Sequence, residues 1–153
     1  MSWNSELAVQ LAVIAALALT GWQDFIHREA SNAVTIPFFF VGVGTGMYRF
    51  HDDPSMWYVF AAQIIITICA MFGWMGGADL KMQCGLFGLW PFMGVVSLLA
   101  EGVWGLGVWV RHGPRANFPK LSVMAAAVIL TFLLHLSIMF SVQFLPGRIA
   151  SFF

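Results

Sequence analysis

Five runs of apolar residues, each close to the length needed to cross a bilayer, take up most of this chain. They extend over Leu7 to Trp22, Ala33 to Phe50, Met56 to Trp74, Phe92 to Val110 and Leu121 to Leu145. A hydrocarbon core of about 30 Å takes about 20 helical residues to cross. In lipid a spanning backbone must satisfy its own hydrogen bonds, which a helix does within one segment. With 60% hydrophobic and 9% charged residues, against roughly 25% charged in an ordinary soluble domain, the chain reads as an all-α, polytopic integral membrane protein. Its 153 residues make a single transmembrane domain, and the lipid bilayer is the partner this composition implies. The net charge is zero, so no basic face suggests nucleic acid. Met1 to Glu6 lacks a positively charged start and the apolar run behind it continues to Trp22, the pattern of a retained helix rather than a cleaved signal.

A sixth run, Leu80 to Trp90, is short and stops at Pro91, where proline cannot continue the backbone ladder. Eleven helical residues span only about 16 Å. The positive-inside rule arbitrates whether it crosses. If it does, Arg28, Lys81, Arg111, Arg115 and Lys120 share one side, with Arg49 and Arg148 opposite; if it does not, Arg111, Arg115 and Lys120 change sides. The expectation is therefore about six transmembrane helices, the fourth short, with the N-terminus outside and the charged loops in the cytoplasm.

In so apolar a chain the carboxylates stand out. Asp24 ends the first run within Gly21-Trp22-Gln23-Asp24-Phe25-Ile26-His27-Arg28-Glu29-Ala30-Ser31-Asn32, and Asp79 begins the fourth within Gly76-Gly77-Ala78-Asp79-Leu80-Lys81. The six-helix topology puts both on the cytoplasmic side. Two carboxylates can hydrolyse a peptide when one, ionised, takes a proton from water and the other, protonated, polarises the scissile carbonyl; proximity splits the titrations of such a pair. Gly76, Gly77 and Ala78 leave room for a substrate strand beside the backbone. The bland alternative makes Asp24 a turn former and Asp79 an N-cap.

The two stretches resemble the active-site motifs of the type IV prepilin peptidases, membrane aspartic proteases of the GxGD group. The likeness lies in an Asp followed eight residues later by Asn32, and in the Gly-x-x-Asp-x-Lys segment from Gly76 to Lys81. Two positions differ: Ala78 stands for the usual glycine before the aspartate, and His27 to Asn32 is less basic than the family's stretch and lacks its proline. The chain is most similar to the short, peptidase-only members associated with Flp-type pilins of Tad systems. That resemblance implies an aspartic endopeptidase of the cell inner membrane, with Asp24 and Asp79 catalytic and no cofactor. Its substrate would be a prepilin with a basic cytoplasmic leader followed by an apolar helix. The two cysteines, Cys69 and Cys84, read as buried free thiols and form no cysteine tetrad, so the resemblance implies cleavage without N-methyltransferase activity. Two other classes compete: a small transporter or proton-conducting protein in which Asp24, Asp79, Glu101 and His135 form a relay, and a catalytically silent pilus-assembly partner with the same fold.

Lys81, two residues from Asp79, points to another helix face and reads as a snorkelling anchor. Glu101 and His135 lie inside helices, where ionisable groups usually face the protein interior. Glu101 sits roughly 15 Å and Gln63 roughly 18 Å from the same side by helical rise, so the two are expected to meet in a structural hydrogen bond. His51-Asp52-Asp53-Pro54 reads as a solvated turn, and no zinc-type ligand cluster is present in the pattern. Gly42, Gly44 and Gly46 do not make a GxGxxG loop, because Met47 breaks the spacing; Gly42 and Gly46 form a small-xxx-small packing face. Trp22, Trp57, Trp74, Trp90 and Trp109 read as interfacial anchors.

Overall fold

The computed structural model of the chain describes residues 3–72, 75–113 and 119–144. Trp74, Arg115 and Arg148, used above as an anchor and as topology charges, lie outside them. Among the described residues there are six α-helices and no strand: α1 (Trp3–His27), α2 (Asn32–Asp52), α3 (Trp57–Met71), α4 (Gly77–Leu89), α5 (Pro91–His112) and α6 (Lys120–Phe144). Five spans are long and apolar enough to cross a membrane, four of them within α1, α2, α5 and α6 and one formed by α3 with the 3-10 turn before it (Pro54–Met71). They turn large side chains such as Phe40, Trp104 and Leu130 outward, each more than half exposed, as lipid-facing residues are.

The short helix is the hub of the bundle. α4 has 13 residues, about 20 Å of rise, and seven in a row, Met82 to Gly88, are buried. Such a helix has no solvent stripe because neighbours cover it on every side: α2, α3 and α5 pack along it, and α1 and α6 touch it. Close approach to α2 depends on glycine. A methyl group on Gly88 would fall on the Gly42 carbonyl, and one on Gly42 would fall on the backbone of Gly85. The packing face expected at Gly42 and Gly46 is therefore real, and α4 is what it packs against.

Two long side chains fix the direction of α4. Lys81 Nζ donates to Asn32 Oδ1 at the start of α2 (2.7 Å), and Arg49 Nη2 near the end of α2 donates to the Leu89 carbonyl (3.2 Å). α4 thus runs alongside α2 from one end of the bundle toward the other, and α5, started by Pro91, carries the chain back. Arg28, Lys81, Arg111 and Lys120 come to one end and Arg49 to the other, the segregation the six-helix topology needs.

The largest core cluster joins Val13 and Leu17 of α1, Phe38 of α2, Met82 and Leu86 of α4, Met93 of α5, and Leu121, Met124, Ala125 and Val128 of α6. The α6 positions recur at the 3.6-residue period of a packed face. Trp22, Trp57 and Trp109 are exposed, as anchors would be. Trp90 is not: its ring meets that of Phe132 edge to face at 5.9 Å and packs against the core. The turn into α5 directs it inward.

Candidate active site

Asp24 follows Leu17 and Gly21 on the inward face of α1, one helical turn before the helix ends at His27. Gly21 lets α6 in close: a methyl group there would stand 2.8 Å from Ala125 Cβ, and Ser122 Oγ donates to the Gly21 carbonyl at 2.7 Å. This crossing sets the first turn of α6 against Asp24. Asp24 Oδ2 accepts the Leu121 amide hydrogen bond at 3.1 Å, satisfying one of the donors a helix start leaves unpaired.

Asp79 stands in the first turn of α4, on none of the five long apolar helices. Its Oδ2 accepts from the Gly76 amide at 3.2 Å and lies 3.8 Å from Lys120 Nζ. The Asp79 side chain is only 14% exposed. Burial pushes its carboxyl above the ordinary range, the charge of Asp24 adds to the rise, and Lys120 and the Gly76 amide oppose it. The net direction is upward, so Asp79 is inclined to keep a proton.

Both aspartates line one open pocket of about 810 Å³. Arg28, Glu29 and Ala30 form one wall, Met75 to Ala78 another, and Lys120 and Leu121 the third. Arg28 takes a left-handed backbone (φ 59°) that ends α1 and turns Glu29 and Ala30 along the rim. Space around Gly77 is open, whereas a methyl group on Gly76 would approach Asp79 Oδ2 to 3.0 Å. The first turn of α6 thus stands between the carboxylates, its Leu121 amide on Asp24 and its Lys120 ammonium on Asp79. Capping explains one hydrogen bond at each aspartate. It does not explain why two carboxylates from distant segments share one water-accessible pocket.

The other expected site residues divide. Asn32 and Lys81 do not line this pocket; their hydrogen bond ties the two motifs together from the side, a more definite role than snorkelling. Gln63 does not meet Glu101. Gln63 Nε2 donates to the Cys84 carbonyl at 2.9 Å, beside Gly46 and Gly88, because α4 lies between α3 and α5. Glu101 faces inward as expected and is 7% exposed. His135 faces out of the bundle, about 22 Å along α6 from Lys120 by helical rise, and takes no part in the site. Cys69 and Cys84 are free thiols. Among the described residues no group of His, Cys, Asp and Glu is placed to hold a metal ion.

Two participants were missed from sequence. Lys120 entered only as a topology charge, although its place directly after Pro119 at the start of the last apolar run marks a helix N-terminus beside a cation. Gln83 was not singled out, yet it is fully buried, donates to the Gly94 carbonyl (2.8 Å) and accepts from Ser97 Oγ (3.0 Å). No protein-family model, curated protein or solved structure matches the chain.

Proposed function

We propose that this chain is a membrane-embedded aspartic endopeptidase that cleaves the leader of type IV, Flp-like prepilins at the cytoplasmic face of the inner membrane, without N-methylating the product. The observation that carries the reading is the meeting of Asp24 and Asp79 in one open pocket at one end of the bundle. Asp24 takes a proton from water as its oxygen attacks the scissile carbonyl carbon, and Asp79 gives its proton to the carbonyl oxygen. When the tetrahedral intermediate collapses, the C–N bond breaks, the leaving nitrogen receives the proton held by Asp24, and the hydroxyl proton returns to Asp79. Both carboxyls end as they began. The open space at Gly77 admits an extended strand, and Glu29 on the rim adds a carboxylate suited to a basic leader.

The test is co-expression with a tagged prepilin. Asp24→Asn and Asp79→Asn keep the shape and the capping capacity of each site but supply neither base nor acid. Each is expected to abolish the gel shift of the processed product while accumulating in the membrane at the wild-type level. Full processing by either variant would overturn the assignment.

A further inference from the structure

Two consecutive residues of α6 hold the two aspartates by different means. Leu121 gives Asp24 a backbone amide, whereas Lys120 brings a side-chain ammonium to 3.8 Å from Asp79 Oδ2. The side chain at position 120 can therefore be exchanged while the amide on Asp24 stays in place. What presents Lys120 is the crossing of α6 on α1. The close approach at Gly21 and the hydrogen bond from Ser122 to the Gly21 carbonyl pin the first turn of α6, and from there Lys120 reaches across to the start of α4. The pair is partly withdrawn from water, with the Lys120 side chain 31% and that of Asp79 14% exposed.

We propose that Lys120 is a positioning residue of the dyad pocket: held by α6 against Asp79, its ammonium sets the pH above which the pocket no longer has its acid. The inference rests on the endopeptidase reading for its kinetic test. An acid donates best when its strength lies near the working pH. Burial makes Asp79 a weaker acid and Lys120 makes it a stronger one, because a cation within about 4–6 Å of a carboxyl favours the ionised form and lowers its titration by about 1–3 pH units. The other charged groups around Lys120 are Asp24 from α1, Arg28 and Glu29 from the turn after it, which bring one charge of each sign to the rim, and Glu101 from α5, which interacts with both Lys120 and Asp79. Lys81 turns aside to Asn32. The bland account of the contact is a stitch between α6 and α4, and an ion pair of this kind adds little to stability when exposed. A stitch has no reason to act at one end of a pH profile.

The experiment compares pH profiles of prepilin cleavage by the purified full chain for wild type, Lys120→Met and Lys120→Arg. The first substitution keeps the length of the stem without the charge, and the second keeps the charge. Lys120→Met is expected to move the alkaline limb to higher pH by about one unit, the low end of the range because Lys120 is partly exposed. At a fixed pH on that limb it then retains about tenfold more of its own maximal rate than wild type does. That maximal rate is expected to fall, since a weaker acid gives up its proton less readily. Lys120→Arg is expected to keep the wild-type limb. Superimposable profiles, a limb moved to lower pH, or an equal loss at every pH would overturn the inference. A second measurement needs no activity: infrared titration of the protonated-carboxyl band that disappears with Asp79→Asn. This band is expected to titrate at higher pH in Lys120→Met, and in Lys120→Gln, than in wild type. An identical titration refutes the coupling. Should the wild type cleave no prepilin, the endopeptidase reading fails while the infrared result still decides whether Lys120 governs Asp79.

Discussion

Gly88→Ala isolates the contact on which the architecture turns. Its new methyl group would fall on the Gly42 carbonyl and stand 3.1 Å from Gln63 Nε2. The amide of Gln63 can rotate, but the Gly42 carbonyl belongs to the α2 backbone and cannot. Restoring ordinary carbon–oxygen contact requires the helices to part locally by roughly one and a half ångströms, which forfeits half or more of the attraction of each contact along the seam. Overpacking a well-packed core costs about 1–3 kcal/mol and occasionally more; with backbone on both sides, about 3 kcal/mol or more is expected. The matched control is Gly44→Ala, where the methyl group meets nothing within 4 Å and replacing a helical glycine gains up to about 1 kcal/mol. Reversible unfolding in mixed detergent and dodecyl sulfate micelles, followed by circular dichroism, should separate the two variants by about 3–4 kcal/mol. Gly88→Ala should also process prepilin more slowly, because the seam holds the start of α4 where Lys81 reaches Asn32. Equal stability of the two variants would refute the argument that glycine contact docks α4 on α2.

The raised Asp79 carboxyl gives a pH-dependent prediction of definite sign. A carboxyl held above its unfolded value contributes stability that is full below that value and lost as pH rises through the folded value. Asp79→Asn, which does not titrate, is therefore expected to resist unfolding better than wild type at neutral pH, with the advantage disappearing under acid conditions; a wild type more stable than the variant at neutral pH would reverse the sign assigned to burial. The topology is tested with single cysteines at Ser31, His112 and Ser55 in a Cys69→Ala, Cys84→Ala background. In intact cells a membrane-impermeant thiol reagent should label the Ser55 position and spare the other two. Labelling at His112 but not at Ser31 would place the ends of α1 and α5 on opposite sides and break the six-helix path.

What the sequence made legible was position along the membrane normal; what it hid was position around each helix. The six-helix path chosen from the charge bias brought Asp24 and Asp79 to the same end, and the pocket holds both. Helical rise placed Gln63 and Glu101 at similar depths, where the pairing failed because α4 stands between their helices. The central place of α4 was hidden for a related reason. Gly77 to Leu89 shows no amphipathic stripe, and a helix covered on all sides has none to show. Nothing in that run singled out its glycines or Gln83, although the glycines admit neighbouring backbones and Gln83 fixes the register with α5. Neither periodicity nor charge counting contains that register, because it arises only when the hydrogen bonds of a buried amide choose one alignment of two helices over its neighbours.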